Sequence, residues 1–150
     1  MTLLVATPAL LADEAMPQAP IAIVVHKQSA VENLSLDQLR SIFLADRQFW
    51  SDRTRITLLV RAPKSTERSF VLNRIYQMSE AQFRRYWIAK MFRAEVPRGP
   101  KIVFSTGMAL DLVVAIPGSI SFTRADDVTD DVRVVRIDGL MPNDDGYPLK

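Results

Sequence analysis

Residues 56–70 read Ile56-Thr57-Leu58-Leu59-Val60-Arg61-Ala62-Pro63-Lys64-Ser65-Thr66-Glu67-Arg68-Ser69-Phe70, and this stretch decides the fold. Five apolar or β-branched residues, Ile56 to Val60, predict a buried strand running into Arg61. Pro63 breaks it. Ser65 or Thr66 then stands where a helix N-cap belongs, and Phe70 and Val71 open the apolar face of a helix expected to continue through Leu72 and Ile75 to about Tyr76. A helix N-terminus presents unpaired N–H groups and a positive dipole end, so hydroxyls ringed by Arg61, Lys64 and Arg68 form a seat suited to an anion. The commoner use of such a turn is plain capping, with the cations solvated.

Working outward, the same strand, turn and helix order recurs. Residues 21–25, IAIVV, form an apolar run fit for a strand buried on both faces, the habit of parallel sheets, and His26 to Ser29 sit where it leaves the sheet. Ser35 to Gln38 is a capping box opening a helix with Leu36, Leu39, Ile42 and Phe43 on one face. Phe49 and Trp50 follow in a polar turn, as plugs for the edge of a core. A second capping box, Ser79 to Gln82, opens a helix expected to turn Phe83, Trp87, Ile88, Met91 and Phe92 inward and Arg84, Arg85 and Lys90 outward. With aromatics and cations on opposite sides, that helix does not read as a single-stranded nucleic-acid surface.

A third junction comes after the Pro97, Gly99 and Pro100 loop. Lys101 to Phe104 is a short strand, Ser105-Thr106-Gly107 a polar turn, and Ala109, Leu112, Val113 and Ile116 the stripe of a helix stopped by Pro117-Gly118. Ser119 to Thr123 (SISFT) alternates as a strand should, and Val132 to Ile137 supplies another. Asp126, Asp127, Asp130 and Asp131 lack the ligand spacing of a calcium loop and read as a solvated turn.

Alternating strands and helices indicate an α/β sheet, mostly parallel and flanked by helices. The expected layout is a signal-like segment at 1–19, an α/β domain at 20–140 and a loop-like tail at 141–150. The opening MTLLVATPALLADEA resembles the hydrophobic part of a secretory signal without its basic leader, with cleavage after Ala12 or Ala15. That predicts export to the periplasm, and a run this short predicts no membrane span in the mature form. Nineteen Lys and Arg against seventeen Asp and Glu leave a net charge of +2, too little for a dedicated nucleic-acid binder. With no cysteine and one histidine, thiolate metal sites, disulfides and imidazole clusters are excluded. No metal site or cofactor is expected. Nor is an enzyme: Ser65 and Lys64 are neighbours in a turn, where side chains seldom face each other, and no general base stands at catalytic spacing.

In open α/β sheets ligands gather outside the carboxyl ends of strands. Three turns are expected to converge there, Lys27 to Ser29, Arg61 to Arg68 and Ser105 to Gly107. The candidate ligand-binding residues are Ser29, Arg61, Lys64, Ser65, Thr66, Ser105, Thr106 and Gly107.

The order of these motifs resembles the phosphate-type solute-binding proteins of ABC transporters. The resemblance runs over about residues 21–124 and is carried by IAIVVHKQSAVENLSLDQLRSIFLADRQFW, ITLLVRAPKSTERSF, the Tyr86-Trp87 pair and FSTGMALDLVVAIPGSISFT. It implies one lobe of a type II periplasmic-binding-protein-like fold, export, and phosphate or a related oxyanion held by backbone N–H groups and hydroxyls, with Arg61 and Ser65 at retained positions. It also implies an ABC permease as partner. Where the family loop reads Arg-Ser-Asp-Gly-Ser-Gly-Thr, this chain has Arg61-Ala62-Pro63-Lys64-Ser65-Thr66-Glu67. Losing both glycines narrows the approach to an anion, and Glu67 adds a negative charge. The chain holds material for about one lobe, so a homodimer is expected to rebuild the cleft. The alternative reading is a degenerate lobe that binds an envelope protein, as an interaction or sensor module without ligand.

Overall fold

The computed structural model describes residues 19–150. The signal-like segment lies outside the described residues, apart from Ala19. Six strands form one sheet in the order β2-β6-β1-β5-β3-β4. They are β1 (Ile21–His26), β2 (Asn33–Leu34), β3 (Thr57–Arg61), β4 (Lys101–Val103), β5 (Ser119–Arg124) and β6 (Val132–Ile137). The helices are α1 (Leu36–Phe43), α2 (Thr66–Val71), α3 (Glu80–Phe92) and α4 (Thr106–Ala115).

The sheet is mostly parallel in the sense that matters for a site. β2 pairs parallel with β6, and β3 pairs parallel with both β4 and β5. β1 alone runs the other way, antiparallel to β5 on one side and β6 on the other. The buried IAIVV run was expected to mark a parallel strand, and its direction is the reverse. A central strand covered on both faces needs the same apolar residues whichever way it runs.

Side-chain alternation along the strands sorts the core into two layers. Ile21, Ile23 and Val25 point to the larger layer with α1, α2 and α3, while Val24, Leu59 and Val103 meet Ala109, Leu110 and Val113 of α4 on the opposite face. The alternating SISFT strand, β5, is buried on its polar side too, with Ser119, Ser121 and Thr123 all inaccessible. Two of the three hydroxyls find partners, Ser121 Oγ donating to the Leu59 carbonyl at 3.0 Å and Ser119 Oγ to the Val113 carbonyl at 3.3 Å, while the Thr123 hydroxyl is buried without one.

Both capping boxes form as expected, with Ser35 and Gln38, and Ser79 and Gln82, bonding reciprocally. α2 passes into a π-helical turn, Leu72–Tyr76, that ends at Gln77 in a left-handed conformation. Trp50 plugs the core edge as expected and its indole N–H donates to the Gly118 carbonyl at 2.9 Å, whereas Phe49 is half exposed. The tail has no regular structure, yet Tyr147 and Leu149 are buried, and the Tyr147 hydroxyl donates to the Ile21 carbonyl at 2.6 Å.

α3 departs most from its sequence pattern. Phe83 and Trp87 are buried as expected, but Ile88, Met91 and Phe92 face outward and Lys90 faces in. The Lys90 ammonium lies 2.7 Å from the Asp46 carboxylate and 3.0 Å from the Tyr86 hydroxyl, with Glu95 at 3.7 Å. Burial pulls this ammonium down, and the hydrogen bonds it donates to Asp46 and Tyr86 outweigh it, so its pKa rests above the ordinary lysine value. Three partners make a buried lysine tolerable there, which periodicity alone does not reveal.

Candidate functional site

Because β3 and β4 pair in parallel, with Arg61 opposite Val103, the turns that follow them meet at one end of the sheet. The Ala62 N–H donates to the Val103 carbonyl at 2.8 Å and ties the two turns together. Across this junction the Arg61 guanidinium donates to Thr106 Oγ1 at 3.1 Å. Two candidate residues that are 45 positions apart in sequence thus share one hydrogen bond.

Around that bond the hydroxyls act as caps. Ser65 Oγ accepts from the Arg68 N–H at 3.0 Å, and Ser105 Oγ accepts from the Met108 N–H at 3.0 Å. Both helices therefore start at the same sheet end with their positive dipole ends side by side. Thr66 and Gly107 lie exposed in the first turns of α2 and α4. Lys64 is exposed and holds φ +80°, the left-handed turn for which the resembled loop uses glycine.

Ser29 is not part of this cluster. It follows β1, whose reversed direction puts it at the opposite end of the sheet, where Val25 pairs with Ile120 near the start of β3. Ser29 Oγ accepts from the Val31 N–H at 3.2 Å, and Lys27 donates to the Asp130 carbonyl. Of the three turns expected to converge, two do.

Arg68 is a buttress and not part of the seat. Its guanidinium makes two 2.8 Å hydrogen bonds to Glu80 and a third, also 2.8 Å, to the Arg61 carbonyl, over the Phe83 ring at 4.8 Å. The hydrogen bond from Arg68 holds the Glu80 carboxyl below the usual glutamate range. Arg68 thereby fixes the backbone from which Arg61 projects.

Glu67 is the residue that motif reading underweighted. It is buried, and its carboxylate lies 3.6 Å from the Arg61 guanidinium. The arginine best placed to meet an anion already has one of its own. Arg61 Nε is also buried without a hydrogen-bond partner, so the guanidinium keeps unused donor capacity. This end of the sheet thus carries Arg61 with its spare donor, the exposed Lys64 and two capped helix starts. Among the described residues no group of three or more His, Asp or Glu side chains is placed to hold a metal ion.

No protein-family model and no curated protein matches this sequence. Solved structures do. An ABC-type phosphate transport receptor from Vibrio cholerae superposes with a TM-score of 0.71 at 20% identity, over 87% of this chain and 53% of its own. PstS from Borrelia burgdorferi gives 0.69 at 15% identity, over 87% and 54%. A phosphate-binding protein from Stenotrophomonas maltophilia gives 0.65 at 16% identity, over 88% and 45%. The chain has the fold of these receptors. It spans about half of their length, as expected for one lobe of a periplasmic-binding-protein-like architecture. Among the described residues no helix is long and apolar enough to cross a membrane.

Proposed function

We propose that this chain is a solute-binding lobe of the transport-receptor type, taking phosphate or a similar small oxyanion at the end of β3 and β4, outside the membrane. The observation that carries the reading is the Arg61–Thr106 hydrogen bond, which joins two capped helix starts at one sheet end. The phosphate-binding proteins that share the fold support the ligand class. In this reading the lobe binds its ligand and does no chemistry on it, in keeping with the binding proteins that share the fold.

The Glu67 carboxylate, 3.6 Å from the Arg61 guanidinium, offsets part of its charge, so affinity for a lone lobe is modest. An opposing wall, from a second lobe or a second copy of this chain, excludes water and strengthens each charge-assisted bond. Exposed Phe104, adjacent to the Ser105 cap and 72% accessible, is the apolar surface such a wall would cover. An ABC permease is the partner class that this reading assigns.

The test is calorimetric titration of wild type and Arg61→Ala with phosphate at low salt, with light scattering on the same samples. Saturable binding that weakens by about tenfold or more in Arg61→Ala is expected, since a charge-assisted bond contributes roughly 1.5–3 kcal/mol. Binding of equal strength in both proteins would place the ligand elsewhere, and no heat at millimolar phosphate would remove the proposal.

A further inference from the structure

A second cavity lies at the far end of β3 from Arg61. It is a groove of about 700 Å³, within the roughly 300–1,000 Å³ range of small-molecule sites. Ile56 and Thr57, at the start of β3, form part of its floor, about 13 Å of strand from Arg61 at roughly 3.3 Å per residue.

Four cations line this groove, Arg47, Arg55, Arg98 and Lys101, and no carboxylate lines it. None of the four has an ion-pair partner among the described residues. The nearby Asp46 and Glu95 carboxylates are engaged with Lys90 and Arg93. The two loops forming the walls are pinned together by the Gln48 side chain, which donates to the Ala45 and Glu95 carbonyls at 3.1 and 3.0 Å.

Two of the cations are already arranged to stack. Arg47 lies over the Trp50 ring at 5.7 Å and Arg55 over the Phe49 ring at 5.1 Å. A guanidinium over a protein ring is partly held in place by it, and guanidinium groups also stack on other planar π-systems. Trp87, which also lines the groove, is 5% exposed, and its indole N–H is buried without a hydrogen-bond partner.

We propose that this groove is a second ligand site, for a small organic anion bearing a planar aromatic ring and two or more negative charges, chemically of the nucleoside di- or triphosphate type. The stacked arginines take the ring, and Arg98 and Lys101 take the charges. The apolar floor gives the ring a reason to enter, which a plain cationic patch does not. The site is independent of the oxyanion seat at the other end of the sheet.

The test is calorimetric titration of the full chain with ATP, adenosine and tripolyphosphate, repeated on Arg98→Ala/Lys101→Ala and on Arg61→Ala. Arg98 and Lys101 are exposed and make no described side-chain bond, and circular dichroism of the double variant is the check on its folding. ATP is expected to saturate in the micromolar range, tripolyphosphate to bind about tenfold more weakly, and adenosine to give no saturation by about 1 mM. The double variant should weaken ATP by about tenfold or more, and Arg61→Ala should leave it unchanged. Failure of ATP to saturate, tripolyphosphate binding as tightly as ATP, or indifference to the double variant would each overturn the proposal.

Discussion

At the scale of single residues, the Arg61–Glu67 pair sets what the seat can do. Both side chains are nearly buried, and a carboxylate 3.6 Å away competes with any incoming oxyanion for the same guanidinium. Glu67→Gln removes that charge while keeping the shape, and we expect phosphate affinity to rise by about tenfold in calorimetry, the worth of one modest charge interaction. An unchanged or weaker affinity would mean that Glu67 does not oppose the ligand. Glu80 makes a separate prediction about pH. Its folded-state pKa lies below the ordinary 4.5 because Arg68 hydrogen-bonds its charged form. The unfolded chain therefore binds the proton first, and the stability from this pair is complete above the ordinary value and lost as pH falls through the folded one. Urea midpoints measured as pH falls from about 4.5 downward should drop less steeply in Glu80→Gln than in wild type. Identical slopes would show that the pair contributes nothing to acid sensitivity.

Among the elements, the turns carry the tightest constraints. Gly118 opens β5 at φ +85°, and a Cβ there would stand 2.5 Å from the Arg55 carbonyl and 2.8 Å from Thr54 Cγ2. Gly118→Ala should cost about 3 kcal/mol in equilibrium unfolding, combining left-handed strain with overpacking against backbone. A loss below about 1 kcal/mol would mean that the turn relaxes. Elements were legible where their chemistry is local. Ser35 with Gln38, and Ser79 with Gln82, announce helix starts because each cap bonds to a residue three positions on. The face of α3 was not legible, since what buries Lys90 is Asp46, 44 residues distant, and what exposes Ile88 and Phe92 is the lack of anything packed over them. Strand direction was hidden for a similar reason. IAIVV records burial on two faces and carries no mark of whether its neighbours run with it or against it.

For the whole molecule, that one reversed strand decides which residues share a site. It carries Ser29 away from the seat, while the parallel β3 and β4 bring Arg61 and Thr106 together. The two ends of the sheet then have different chemistry, the proposed oxyanion seat with Glu67 beside Arg61 at one and a groove of unpaired cations at the other. The motif order marked the two turns that meet at the first end, because strand, polar turn and helix cap are contiguous in sequence. It gave no sign of the second, whose cations come from two loops about fifty residues apart that meet only through folding. The most direct test of the central claim is phosphate titration followed by two-dimensional amide NMR on the isotopically labelled chain. The account predicts saturable shifts confined to residues 61–68 and 104–108. Shifts centred instead on Arg47, Arg55 and Arg98, or none at millimolar phosphate, would contradict it.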